Sequence, residues 1–228
     1  MRLIIIVMLC LVSIIKAQAM ASEVSKMSFC YEEWQPYAYV DEKKQHVGFS
    51  VNDLKQKLAA ANLPYLFTEL PFPRCKQAVI SGQIDFILHI DAADDLNMIS
   101  QPIALWQLTF AVNDNSTMNF EDIVNTKGLK VLIARSYVYP EELEEKLVSM
   151  AAKVIKVSYY TGEKTALNRF FQRLAVGQGD LMVVDKLWAQ QVARQYQLPI
   201  KVLEPVIISV PQYIGYQSHN TKLAHLLE

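Results

Sequence analysis

Residues 31–58 read Tyr-Glu-Glu-Trp-Gln-Pro-Tyr-Ala-Tyr-Val-Asp-Glu-Lys-Lys-Gln-His-Val-Gly-Phe-Ser-Val-Asn-Asp-Leu-Lys-Gln-Lys-Leu. An aromatic-rich loop runs into a polar turn, and Gly48 then opens an amphipathic helix. Val51, Leu54, Leu58 and Ala61 recur there at helical spacing with charges between them. The loop leaves a short strand at Met27–Tyr31. Aromatic faces at the end of a first strand make a platform for a small ligand.

Working outward, Asn62-Leu63-Pro64 stops the helix, and a second strand is expected at Tyr65–Glu69. Pro73 begins a short helix to Ser81 with Gly82 as its stop, and Ile84–Ile90 is an apolar strand. This β-α-β-α-β order implies right-handed crossovers and a mostly parallel sheet. The pattern then restarts. Strands are expected at Leu105–Val112, Lys130–Ala134, Lys156–Tyr160 and Leu181–Val184, and helices at Glu141–Met150, Glu163–Val176 and Lys186–Tyr196. Val206–Tyr216 reads as a long returning strand. The expected fold is therefore α/β with two lobes: residues 22–112 plus 205–228 form one lobe, and residues 113–204 form an inserted second lobe. The two crossings, near Val112 and Pro205, would act as a hinge.

Upstream of residue 22 the chain has the pattern of a cleaved export signal. Arg2 supplies the positive start, Leu3–Ile15 is an apolar run too short for a stable span, and Ala17-Gln18-Ala19 or Ala19-Met20-Ala21 offers small residues for cleavage. Leu9 before Cys10 argues against a lipid anchor. The expected location is the periplasm. Cleavage removes Arg2 and Lys16 from 22 basic residues and leaves the 23 acidic ones, a net charge of −3. Nothing points to nucleic acid, which needs a basic face. Two cysteines remain, Cys30 and Cys75, and an even count in an exported chain favours a disulfide. Closing that loop is worth about 4 kcal/mol on the chain-entropy model.

The order and spacing of five segments resemble the periplasmic solute-binding proteins of family 3, the amino-acid ABC transporter type. They are Trp34-Gln-Pro-Tyr-Ala-Tyr with Val47-Gly-Phe-Ser-Val-Asn-Asp-Leu; Ala78-Val-Ile-Ser-Gly-Gln-Ile-Asp; Ser100-Gln-Pro; Phe120-Glu-Asp-Ile with Gly128-Leu-Lys-Val; and Leu174-Ala-Val-Gly-Gln-Gly-Asp with Val183-Val-Asp. The resemblance implies a two-lobe periplasmic binding protein type II fold, with mixed, mostly parallel sheets and a ligand cleft between the lobes. It also implies capture of a small polar ligand, an amino acid or a related molecule, by hinge closure. The expected partners are that ligand and a membrane permease or receptor, and the protein is expected to act as a monomer. A sensory or degenerate binder, and an exported dehydratase-like enzyme on the same fold, are the alternatives. Family members usually continue for another helix or two beyond the Lys222–Glu228 type of segment, so reduced cover on the first lobe is expected.

One departure bears on the ligand. Amino-acid binders of the family carry Thr-x-x-Arg before the Ser-x-Pro, and its arginine pairs bidentately with the ligand carboxylate. Here the segment is His89-Ile-Asp-Ala-Ala-Asp-Asp-Leu-Asn, without arginine or lysine. Arg74, in Pro73-Arg74-Cys75, and Arg135 are possible substitute cations.

The candidate ligand-binding residues are Tyr31, Trp34, Tyr37, Arg74, His89, Asp91, Arg135, Ser136 and Asp185. Tyr31, Trp34 and Tyr37 either stack on a ligand or pack in the core. His89 and Asp91 follow the third strand, at the carboxyl edge where α/β sheets bind ligands. His89 is otherwise an internal histidine. Ser136 offers a hydroxyl at a strand-to-helix turn, or caps a helix. Asp185 stands where the resemblance places an acid for the ligand's amino group, or caps the helix that follows. Glu32 and Glu33 are the early acids an enzyme would need. No Gly-x-Ser-x-Gly, phosphate loop, dinucleotide fingerprint or metal-ligand spacing occurs, so no catalytic residue, cofactor or metal is expected.

Overall fold

The computed structural model describes residues 26–135, 137–158 and 164–228. The expected export signal and Ser136 lie outside the described residues.

Three parallel strands form one wing. β1 (Met27–Tyr31) lies between β4 (Tyr65–Glu69) and β5 (Phe86–Ile90). The ring of Phe29, fully buried, stacks on Phe67 at 5.3 Å and Phe86 at 5.0 Å and ties the three strands together. One face of this wing is covered by α1 (Phe49–Ala60), through Val51, Leu54 and Leu58. α2 (Phe72–Ile80) covers a second cluster, in which Cys75 and Val79 meet Cys30, Ile87 and Ile90. Cys30 and Cys75 form a disulfide with Cα atoms 5.8 Å apart, so β1 is bonded covalently to α2.

The second wing repeats the arrangement. β8 (Lys130–Ala134) lies parallel to β9 (Lys153–Val157) and to β10 (Leu181–Asp185). α3 (Phe120–Asn125) and α4 (Glu141–Ser149) cover one face with Ile123, Leu143 and Leu147. α5 (Lys164–Ala175) and α6 (Lys186–Tyr196) cover the other with Phe170, Phe171, Ala189 and Val192. Both wings therefore bury both sheet faces, which is why their strands read as apolar runs.

Two long strands join the wings. β7 (Ala104–Asn113) and β12 (Ile208–Tyr216) pair antiparallel with each other along Ala104–Leu108 and Ile208–Gln212. The far half of β12 pairs with β5, and the far half of β7 pairs with β10 and with the short β11 (Ile200–Val202). The sheet order is β4-β1-β5-β12-β7-β10-β8-β9. Parallel pairing thus holds within each wing, while the central strands are antiparallel because the chain returns by extended strands rather than by helical crossovers.

The four elements β1, β4, β8 and α6 match their expected spans to the residue. β9 lies three residues earlier than expected. It is an edge strand exposed over four of its five residues, so its Lys-Val-Ile-Lys-Val carries a weaker burial signal than the aromatic pair that follows. α3 is six residues long and was not expected. Its signal was the capping box in which Asn119 and Asp122 each accept the other's backbone N–H. The polar turn of residues 41–45 closes a two-stranded hairpin, β2 (Tyr39–Val40) with β3 (His46–Val47).

Candidate functional site

Gly48 fixes the aromatic loop. Its φ is +120°, and a Cβ there would stand 2.3 Å from the Tyr37 carbonyl oxygen. Only glycine lets the helix approach so closely. No side chain caps α1; instead the Pro36 and Tyr37 carbonyls accept from the Phe49 and Ser50 amides at 3.0 Å each. The loop and the start of α1 are thus one hydrogen-bonded unit.

That unit presents a cluster of rings. Trp34 lies 4.3 Å from Tyr37 and meets His89 edge-on at 4.9 Å. Tyr37, nearly buried, donates its hydroxyl to the Leu105 carbonyl at 3.1 Å. Burial raises its phenol pKa, and the charge of Asp185 raises it further; Asp185 pairs with Leu108 of β7, three residues along the strand from the Leu105 that Tyr37 bonds. His89 comes from β5 and has a φ of +63°, a left-handed conformation inside a strand. The register of β12 against β5 shifts opposite it, between Tyr213 and Ile214. Such a position is costly for a non-glycine residue and is found where a side chain must be aimed. His89 Nε2 is 2.9 Å from the Ser50 hydroxyl, which is bonded to the Ile103 carbonyl at 3.1 Å. Burial holds the imidazole pKa down at about 3.

Asp185 is the last residue of β10 and the N-cap of α6. Its Oδ1 accepts from the Trp188 amide at 2.7 Å. Its Oδ2 is buried and has no hydrogen-bond partner among the described residues. The Trp188, Gln107 and Leu187 amides favour the ionised form. Burial outweighs them and raises the carboxyl pKa to about 7. The nearest basic residue in sequence, Lys186, is paired with Glu204 instead. A buried carboxyl is held neutral unless a donor or a cation compensates its charge.

The loop also touches α6 directly. Gln191 Nε2 donates to Gln35 Oε1 at 2.9 Å, and Gln35 Nε2 donates to Glu33 Oε1 at 2.9 Å. A groove of about 760 Å³ runs between this loop and α6, walled by Pro36, Tyr39 and Phe49 on one side and Leu187, Gln191 and Arg194 on the other.

Among the candidate residues, Trp34, Tyr37, His89 and Asp185 are brought together. Tyr31 is not among them: its ring is fully buried beneath the loop, and its hydroxyl is 2.7 Å from His46 Nδ1. The strand-end aromatic points into the core because its position on β1 alternates inward. Asp91 accepts from the Ala93 amide and, with Asp94, closes a capping box on a single 3₁₀ turn, so its carboxylate is used as a cap. Arg135 is exposed and donates to the Lys156 carbonyl at 3.3 Å. Arg74 is exposed in the first turn of α2. Glu32 and Glu33 are partly buried, and burial raises both carboxyls. Ser50 and Gln191 carry roles in the site that sequence reasoning missed. Ser50 reads as one more helical residue, and Gln191 as a solvated one.

No family model and no curated protein matches the chain. Solved structures match closely in fold. The probable amino-acid ABC transporter extracellular-binding protein ytmK from Bacillus subtilis superposes with a TM-score of 0.75 at 13% identity, over 90% of this chain and 89% of that one. A histidine kinase sensor domain with similarity to periplasmic binding proteins gives 0.65 at 15%, over 89% and 86%. The ancestral amino-acid-binding protein AncCDT-1, a precursor of cyclohexadienyl dehydratase, gives 0.64 at 18%, over 89% and 86%. At these identities the likeness establishes the two-lobe α/β fold of periplasmic binding proteins.

Proposed function

We propose that the protein is an exported solute-binding protein of the family 3 type, which captures a small molecule bearing a protonated amine by closing two lobes around it. Residues 22–112 with 205–228 form one lobe and residues 113–204 the other. The observation that carries the reading is the buried Oδ2 of Asp185, without a hydrogen-bond partner among the described residues, on β10 where it pairs with the joining strand β7. An ammonium there would supply the missing counter-charge, while Trp34 and Tyr37 offer π faces that attract a cation. Because Trp34, Tyr37 and His89 stand on one lobe and Asp185 on the other, a ligand touching both favours the closed form by its differential affinity. The disulfide and the extracellular-binding neighbour support a periplasmic location. The closed protein is a monomer that docks on a membrane permease.

Sensing is the second reading, favoured by the likeness to a histidine kinase sensor domain. Turnover is the third. A cleft acid raised to about 7, as Asp185 is, has the property of a general acid, and one structural neighbour is a dehydratase precursor. We read the protein as a binder and not an enzyme.

A thermal shift screen of the mature protein against amino acids, amines, dipeptides and organic acids tests this. A ligand at a hundred times its Kd adds about 2.7 kcal/mol, several degrees in Tm. Amine-bearing compounds are expected to raise the midpoint, and Asp185→Asn to weaken them at least about 30-fold. Hits that are unconverted after prolonged incubation count for binding over catalysis. Hits confined to compounds without an amine, or unaffected by Asp185→Asn, would sink the assignment.

A further inference from the structure

The Ser50–His89 contact fixes which ring nitrogen is left to accept a hydrogen bond. The Ile103 carbonyl can only accept, so the single proton of the Ser50 hydroxyl is committed to it at 3.1 Å. The oxygen of that hydroxyl, 2.9 Å from His89 Nε2, must then accept, and Nε2 carries the proton. Ser50 itself is 1% exposed, so water does not compete for these bonds. Nδ1 is left with a lone pair and no hydrogen-bond partner among the described residues. The left-handed backbone at His89 holds the ring edge-on to Trp34 and 6.3 Å from the Tyr37 ring, whose hydroxyl is bonded to Leu105 on the strand that pairs with Asp185.

Resting on the reading of this cleft as the ligand site, we propose that His89 determines specificity. Its Nδ1 and Asp185 Oδ2 are two separate acceptors, and together they select a ligand with two N–H-bearing groups, at least one of them cationic. Diamines and amino acids with an amide or guanidinium side chain belong to this class. A monoamine or an aliphatic amino acid satisfies one acceptor and leaves the other without a donor. A site built to accept a hydrogen bond discriminates strongly against an analogue that lacks the donor. Burial keeps the imidazole neutral at physiological pH, so Nδ1 stays an acceptor.

Two matched pairs of probes isolate the second donor: butan-1-amine against 1,4-diaminobutane, and L-norvaline against L-glutamine. Calorimetric titration of the full mature protein is expected to show at least a tenfold preference for the second member of one pair or both. His89→Phe, which keeps a ring of similar shape, should bring that preference to within about twofold. Ser50→Ala, which frees the tautomer, should lower it several-fold. ¹⁵N spectra of histidine-labelled wild-type protein add a readout that a packing role would not move. They should show the Nε2–H tautomer of His89, and Nδ1 should shift upfield only with the second member of a pair. Asp185-dependent binding with no discrimination within either pair, discrimination that survives His89→Phe, or an unmoved Nδ1 overturns the inference and leaves the binding assignment standing. No binding of any of the four by a cooperatively melting protein overturns both.

Discussion

Replacing Asp185 by asparagine separates the electrostatic cost of the site from its structural role. Asparagine is as good an N-cap as aspartate, so the bond to the Trp188 amide survives. What changes is the charge. The carboxyl is raised from 3.8 to about 7, so the folded protein holds a proton that the unfolded chain has released. The native state binds more protons over this interval, and stability must therefore fall as pH rises. The loss runs from about pH 4 to pH 7 at about 1.4 kcal/mol per pH unit and levels off above pH 7 at about 4 kcal/mol. Asparagine escapes this loss but buries an unpaired amide nitrogen, which costs 1–3 kcal/mol. The net gain for Asp185→Asn is about 2 kcal/mol at pH 8.5, a rise of about 4–8 °C in Tm for a chain of this length. Near pH 5 the wild-type carboxyl is protonated in the folded state, and the two melting temperatures should nearly coincide. The assay is ligand-free thermal unfolding of both proteins from pH 5 to pH 8.5. An amine ligand gives the opposite trend, because it binds the ionised carboxylate: wild-type affinity should rise about tenfold per pH unit up to pH 7 and then flatten. Wild-type and variant curves that run parallel across this range would refute the assignment of Asp185 as a buried, unpaired carboxylate.

Three further perturbations address the parts that hold the site in place. Cys30→Ser with Cys75→Ser removes the bond between β1 and α2 and should cost about 2–4 kcal/mol in chemical denaturation, with thiol labelling of the wild type showing both sulfurs blocked. Gly48→Ala places a methyl against the Tyr37 carbonyl at a φ of +120°; it should cost more than about 1 kcal/mol and weaken ligand binding as well, because the aromatic loop must move, and a loss of stability with unchanged affinity would detach the loop from the site. Gln191→Ala removes the hydrogen bond to Gln35 across the wings; at about 1 kcal/mol it should raise the open population about fivefold, visible as an increased radius of gyration without ligand that ligand reverses.

The fold was legible because its signals are local. Strands buried on both faces read as apolar runs, and α1 and α6 show a 3.6-residue period between clear stops. The elements that escaped lack those signals: β9 is an exposed edge, and α3 is too short for periodicity. The site was legible only as a list of residue types. Tyr31 and Trp34 are both aromatics near a strand end, yet one belongs to the core and the other borders the cleft. Their positions relative to β4, β5 and His46 decide it, and those contacts are long-range. Asp91 and Asp185 are both acids that follow strands, and both cap helical turns. They differ in the second oxygen, which among the described residues is buried and unpaired in Asp185 and not in Asp91.

The missing arginine looks different once His89 is placed. By resemblance, residues 89–97 should supply a donor to a ligand carboxylate. The structure puts there a strained histidine whose protonated nitrogen is already bound to Ser50 and whose free nitrogen can only accept. Asp185 Oδ2 is a second acceptor, buried and without a hydrogen-bond partner among the described residues. On the proposed specificity these two acceptors reverse the polarity that the resemblance implies, and a ligand held between them gains from N–H groups rather than from a carboxylate. On that proposal the lost arginine and the strained histidine are one change in specificity, which keeps the two-lobe scaffold and alters the chemistry of the ligand it takes.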